Sequence, residues 1–185
     1  MPNISSSSSL LSQHPDLDHI YKFNKAVDKR KIFIYSESDH QDIYSLSKES
    51  TRLFKHKVVL RAQPSGTEVY TAKTRHSLGY IKITSNSLGL RLNLTYPKGD
   101  FGVYTFNLDA IDYLWDYQEG QFLCCYTAIE KNLIALFEWP KTDDEIGFLA
   151  VAESCTKSQQ LLSFLLFSAI LIKYPQLYKK RKGLV

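Results

Sequence analysis

Short segments in which apolar and polar residues alternate fill the chain from Ile32 to Ala152. The clearest one runs from Leu88 to Thr95, where leucine occupies every second position and smaller or polar residues stand between. A period of two places all these leucines on one face of a β-strand, so the strand has one buried and one solvent-facing side. About eleven such segments follow one another, separated by turn residues such as Pro64-Ser65-Gly66. No helical segment lies between them, so the pattern predicts a mainly β fold with an antiparallel sheet.

A helical pattern follows the last of these segments. Residues Gln160 to Ile172 are apolar on every side of a 3.6-residue helix, so this helix has to be enclosed by protein or lie in lipid. As a helix, the charge-free run from Ser158 to Ile172 spans roughly 22 Å, which is short of the ~30 Å of a bilayer core. Thr156 to Gln159 fits a capping box with Thr156 as the N-cap, and Pro175 opposes continuation. The pattern predicts a buried helix over about residues 157–174.

The two patterns together predict the architecture. A meander of this many strands has to close or stack to remove its edges, and a larger barrel leaves a lumen that its own side chains cannot fill. An apolar helix fills such a lumen. We therefore predict a mainly β protein: a closed antiparallel β-barrel of about 11–12 strands that encloses one hydrophobic C-terminal α-helix. Residues 1–31 are interpreted as a flexible polar arm, 32–178 as the barrel with its helix, and 179–185 as a basic tail.

Four segments stand out in this order of elements: Ile43-Tyr44-Ser45-Leu46, Tyr113-Leu114-Trp115, Ile134-Ala135-Leu136-Phe137 and the closing helix. With these segments, the order of elements resembles the tubby C-terminal-like superfamily, which includes tubby proteins, phospholipid scramblases and LURP-one-related proteins, and it looks most similar to a fungal branch. The resemblance covers about residues 32–178 and implies a roughly twelve-stranded antiparallel barrel around one hydrophobic helix. Two features of these families are not matched: an acidic cluster with the spacing of a calcium loop, and the paired basic residues by which tubby proteins grip phosphoinositides.

Charge and cysteine usage narrow the class of protein. The net charge of +4 is mild and does not favour nucleic acid as a partner. Three cysteines, Cys124, Cys125 and Cys155, form a poor disulfide framework, which favours a reducing, cytoplasmic compartment. Successive residues of a strand point to opposite faces, so we expect one of Cys124 and Cys125 to lie inside the barrel and the other to be an idle surface thiol, with acylation of that thiol as the alternative.

The sequence carries no catalytic motif such as G-x-S-x-G, H-E-x-x-H, a P-loop or C-x-x-C. The acidic run of Asp143, Asp144 and Glu145 is interpreted as a hairpin turn, because a hard-cation site needs six to eight oxygen ligands. We expect a protein that is not an enzyme and that uses no metal and no cofactor.

Basic residues form the strongest functional pattern. Lys55, Lys57 and Arg61 alternate along one predicted strand and so share its solvent-facing side. Basic clusters beside an apolar element hold anionic lipid with about 1 kcal/mol per residue, although an ordinary charged barrel exterior explains such residues equally well. Further basic residues, Lys73, Arg75, Lys82 and Arg91, lie on the next strands. The predicted lipid-binding residues are Lys55, Lys57, Arg61, Lys179, Lys180, Arg181 and Lys182.

The predicted function is that of a non-enzymatic tubby-like domain that binds anionic, phosphoinositide-type membrane surfaces or a protein partner. We expect a cytoplasmic monomer that is peripheral at membranes. The alternative is a tail-anchored membrane protein that uses residues 161–172 as its anchor and has the basic tail beyond it.

Overall fold

The computed structural model describes residues 10–26, 31–50, 56–75, 79–97, 102–118, 122–139 and 146–174. In this part of the chain, twelve β-strands form one closed barrel, each antiparallel to both of its neighbours. Two helices, α1 (Glu153–Thr156) and α2 (Gln159–Lys173), follow the last strand. The strands are β1 His19–Lys25, β2 Lys31–Ser36, β3 Gln41–Ser50, β4 His56–Ala62, β5 Glu68–Arg75, β6 Tyr80–Ser85, β7 Leu90–Thr95, β8 Val103–Leu108, β9 Ile111–Gln118, β10 Phe122–Thr127, β11 Leu133–Glu138 and β12 Gly147–Val151.

The barrel is a meander in which each strand pairs with the next one in sequence. β1 closes it by pairing with β12, from His19 opposite Val151 to Phe23 opposite Gly147. The prediction of a closed antiparallel barrel of 11–12 strands is therefore confirmed. The interpretation of residues 1–31 as a loose arm is wrong for their later part, because Leu10–Gln13 form a 3-10 turn and His19–Lys25 form β1.

Helix α2 lies inside this barrel. All ten residues from Ser163 to Ile172 are buried, so no face of the helix meets solvent. Phe164 contacts the rings of Tyr70 on β5 and Phe106 on β8. Further round the wall, the Trp115 indole N–H on β9 donates to the Ser168 hydroxyl at 3.0 Å. Strands on separate parts of the wall thus contact one helix, which confirms that an apolar C-terminal helix fills the barrel.

The start of α2 differs from the prediction. Its N-cap is Ser158, which has extended backbone and whose hydroxyl accepts a hydrogen bond from the Leu161 N–H at 3.2 Å. Thr156 instead ends α1, and its hydroxyl donates to the Glu153 carbonyl at 2.8 Å. The predicted capping box on Thr156 is therefore wrong. Among the described residues, no helix is both long and apolar enough to cross a membrane.

A second, smaller apolar cluster lies outside the barrel wall, on β10, β11 and β12. Leu17 of the N-terminal segment packs there against Cys124 and Leu136. Cys125 points the other way and belongs to the main core, so the expected opposite orientation of the two cysteines is confirmed. The expectation of a surface thiol is wrong, because Cys124 is only 1% exposed. Burial raises the pKa of both thiols, and all three cysteines are free.

Candidate functional site

Lys57 and Arg61, two of the predicted lipid-binding residues, belong to an ion-pair cluster on the outer face of β3, β4 and β5. The Lys57 ammonium lies 3.1 Å from a Glu49 carboxylate oxygen and 3.6 Å from one of Glu68. The Arg61 guanidinium pairs with the same two carboxylates and also donates to the Ser47 hydroxyl at 3.0 Å. The predicted sharing of one solvent-facing side by Lys57 and Arg61 is confirmed.

This cluster already compensates its own charge. Partial burial alone would raise the pKa of the Glu49 carboxyl, but hydrogen bonds from Lys57 and Arg61 outweigh it and hold that pKa below its usual value. Glu49 and Glu68 are therefore the anions that these two basic residues contact. A phosphate group would have to compete with both carboxylates.

The remaining predicted lipid-binding residues lie outside the described part of the chain, and so does the acidic run of Asp143, Asp144 and Glu145. Within the described residues, no group of three or more histidine, cysteine, aspartate or glutamate side chains is placed to hold a metal ion. The undescribed lipid-binding residues are Lys55, Lys179, Lys180, Arg181 and Lys182.

A second set of basic residues lies further round the barrel, on the outside of β5, β6 and β7. Lys73 on β5 stands directly opposite Lys82 on β6, and Lys82 stands opposite Asn93 on β7. The burial pattern of β6 shows that Lys82 points outward, because Ile81 and Ile83 on either side of it are buried while Lys82 is only partly buried. This outer face consists of two adjacent rows of cross-strand neighbours: one row is Lys73, Lys82 and Asn93, and the other is Thr71, Thr84 and Arg91. We call it the basic face.

The basic face carries three positive charges and no acidic residue within its two rows; at its edge, the Thr71 hydroxyl donates to a carboxylate oxygen of Glu68 at 2.5 Å. Unlike Lys57 and Arg61, its basic residues Lys73, Lys82 and Arg91 take part in no ion pair with another described residue. Like charges directly opposite on neighbouring strands repel, so an anion placed between Lys73 and Lys82 would relieve that repulsion. The arrangement therefore suits a phosphate-bearing ligand.

Helix α2 finishes at the barrel end where β5 ends and β6 begins, because the Tyr117 hydroxyl near the end of β9 donates to the Ile172 carbonyl at 3.5 Å and alternate strands of the barrel run in the same direction. Aromatic side chains gather there around the helix terminus. The Lys173 ammonium lies 3.6 Å from the centroid of the Trp139 ring, and Tyr117 meets Trp139 edge-on with ring centroids 5.9 Å apart. Burial lowers the pKa of Lys173.

Comparison with known proteins gives one informative result. No family model matches this chain, and no curated protein matches it. The X-ray structure of a protein from Arabidopsis thaliana superposes with a TM-score of 0.56, covering 87% of this chain and 91% of that chain at 10% sequence identity. This chain is therefore structurally similar to a plant protein of the tubby-like fold. At this level of identity the likeness shows the fold alone, and it confirms that part of the expected resemblance.

Sequence reasoning identified Lys73 and Lys82 as basic residues but missed that they are neighbours. Alternation along each strand places both on the outside, but only the register between β5 and β6 brings them opposite each other. The same register problem hid the pairing of Lys57 and Arg61 with Glu49 and Glu68. The available signal was the scarcity of acidic residues between Val69 and Thr95, a stretch that contains none.

Proposed function

We propose that this protein is a non-enzymatic tubby-like domain that binds anionic, phosphoinositide-type membrane surfaces through its basic face. The observation that carries the proposal is the opposed pair of Lys73 and Lys82, set in rows without an acidic residue. Lysine and arginine make charge-assisted hydrogen bonds to phosphate oxygens. Each basic residue near an anionic surface contributes about 1 kcal/mol, so a small cluster gives reversible attachment.

One end of the barrel also suits contact with a membrane. The barrel end at which α2 finishes carries Trp139, Tyr117 and Lys173, and amphipathic rings of this kind suit the head-group region of a bilayer. In sequence, the chain continues from this end toward the basic residues Lys179 to Lys182. On this proposal the basic tail and Lys55 add to the attachment, while Lys57 and Arg61 contribute less because Glu49 and Glu68 engage them.

On the same proposal the protein acts as a cytoplasmic monomer, peripheral at membranes and without a cofactor. The tail-anchored alternative would require residues 161–172 to leave the barrel and expose its lumen. Burial of Ser163 to Ile172 inside the wall favours the peripheral protein. Carbonate extraction of a membrane fraction separates the two, because it releases a peripheral protein and leaves an anchored one in the pellet.

Flotation with liposomes tests the proposal. Vesicles of phosphatidylcholine alone, with added phosphatidylserine, or with added phosphoinositide are compared at low salt and at 1 M salt, where the Debye length falls to about 3 Å. The protein should float with both anionic vesicles at low salt and dissociate at high salt. Protein that ignores both anionic vesicles at low salt would contradict the proposal and favour a protein partner instead.

A matched pair of variants locates the contact. Lys73→Gln/Lys82→Gln removes two charges from the basic face and should weaken binding by about 30-fold, the equivalent of about 2 kcal/mol. Lys22→Gln/Lys157→Gln removes two charges that pair elsewhere with Glu37 and Glu153, and it should change binding much less. Equal losses from both double variants would show that net charge, rather than the basic face, governs attachment.

A further inference from the structure

Strands β7 and β8 pair over a much shorter length than their neighbours. Among the described residues, their ladder contains one residue pair, Thr95 with Thr105, whereas the adjoining β6–β7 and β8–β9 ladders each contain six. From this pair toward the start of β7, a groove with a volume of about 710 Å³ lies between the two strands. That volume falls in the range of about 300–1,000 Å³ that is typical of ligand pockets.

The main chain of β7 presents hydrogen-bonding groups to this groove. Alternate residues of a strand direct their N–H and C=O groups to opposite neighbours. The Tyr96 N–H donates to the Gly79 carbonyl, next to β6, so Asn93, an odd number of residues away, directs its main chain toward β8. The described ladder gives Asn93 no partner on β8.

The main chain of β8 does the same from the other side. Leu108 and Ile111 face each other across a two-residue turn, in which both central residues have positive φ, so Leu108 directs its main chain toward β9. Asn107 therefore directs its N–H and C=O groups toward β7, where the described ladder again gives them no partner. Two facing strand edges with unpaired groups are a template on which an additional strand can pair.

The floor and one wall of the groove define what such a strand would carry. Leu92 and Phe106 line it as apolar residues of the core, while Asp109 and Asp112 line it beside the β8–β9 turn. The side-chain amide of Asn107 donates to a carboxylate oxygen of Asp112 at 2.8 Å. Neither aspartate forms an ion pair with another described residue.

We infer that the groove between β7 and β8 binds an extended peptide segment of a partner protein that carries a basic side chain. The peptide main chain pairs with Asn93 and Asn107, as in other cases of strand addition to a sheet edge. Its apolar side chains face Leu92 and Phe106, and its basic side chain contacts Asp109 and Asp112. Arg91, which belongs to the basic face and also lines the groove, is left unchanged in every test of either site.

A defined peptide provides the probe: seven residues, acetylated and amidated, in which valine alternates with threonine and a central lysine. Saturating peptide should slow hydrogen exchange of the Asn93 and Asn107 amides at least tenfold, as measured by NMR. A second peptide with glutamate in place of the lysine should bind at least tenfold more weakly. No saturable binding of the lysine peptide at millimolar concentration would overturn the inference.

Three variants test the contacts. Asn93→Pro removes an N–H that points into the groove rather than toward β6, so peptide binding should be lost. Asp109→Asn removes one carboxylate at a position with φ of 52°, which asparagine tolerates, and should weaken binding of the lysine peptide about tenfold. Asp42→Asn, at an exposed position on β3, is the matched control and should change nothing.

Two further outcomes would also overturn the inference. Slow exchange of the Asn93 and Asn107 amides without peptide would show that β7 and β8 pair with each other in solution. Unchanged affinity of Asp109→Asn for the lysine peptide, in protein shown to be folded by its NMR spectrum, would show that the Asp109 carboxylate does not contact the peptide.

Discussion

Single buried polar groups fix α2 within the barrel. Trp115 and Ser168 are both fully buried, and the hydrogen bond between them joins β9 to the helix. Sequence alone places a serine in an apolar helix and a tryptophan in a strand, but it does not show that they meet. Cys124 makes the same point, since alternation predicts that one of Cys124 and Cys125 faces outward but not the cover that Leu17 provides.

Ser168→Ala should lower the free energy of unfolding by about 1–3 kcal/mol, because it leaves the buried Trp115 N–H without a partner. Trp115→Phe removes the donor, so the added cost of Ser168→Ala in that background should be smaller. Urea unfolding of the two single variants and the double variant measures this coupling. Strictly additive losses would mean that the hydrogen bond does not contribute to stability.

Among the elements, β1 shows where the hydrophobic pattern is too weak to read. It directs only Tyr21 and Phe23 into the core, while Ile20 packs on the outer apolar cluster, so alternation over two positions does not distinguish a strand from an irregular arm. The strand exists because β2 and β12 each need a partner to close the barrel. Longer alternating segments such as Leu88 to Thr95 were predictable because their pattern is sustained.

The helix cap gives a prediction at the same scale. Ser158→Ala removes the side-chain acceptor for the Leu161 N–H and should lower the free energy of unfolding by about 0.5–2 kcal/mol. Thr156→Ala, the matched control, removes a hydroxyl that is exposed and bonds only within α1, so it should cost less. Urea midpoints of the two variants test this; a larger loss from Thr156→Ala would reinstate Thr156 as the N-cap.

In the whole molecule, the barrel and helix together bury many tyrosines. Burial raises the pKa of Tyr70, Tyr104 and Tyr126 to about 12, with smaller contributions from neighbouring groups. An unfolded tyrosine ionises near pH 10, so the folded state binds these protons more tightly than the unfolded state. The stability that they contribute is complete below about pH 10 and is lost as the pH rises through about 12.

The melting temperature should therefore fall between pH 10 and pH 12, which circular dichroism measures directly. Because lysines also titrate in this range, Tyr104→Phe is the comparison that isolates one phenol. This variant should lose less of its stability between pH 8 and pH 12 than the wild type. An identical loss in both proteins would contradict the assignment of alkaline instability to buried phenols.

At this scale the candidate site was only partly predictable. Composition and strand alternation predict a barrel exterior with basic residues, but the register of β3 to β7 decides which of them meet a carboxylate. Lys57 and Arg61 meet Glu49 and Glu68, whereas Lys73 meets Lys82. Register depends on long-range pairing, so it was not available from any single segment.

The orientation of the protein on a membrane tests the central claim most directly. Vesicles containing anionic lipid and a lipid with a spin label on its head group broaden the NMR signals of nearby amides. The account predicts strongest broadening at Lys73 and Lys82, weaker broadening at Lys57 and Arg61, and none in α2 from Ser163 to Ile172. Broadening centred on α2, or no selective broadening at Lys73 and Lys82, would contradict it.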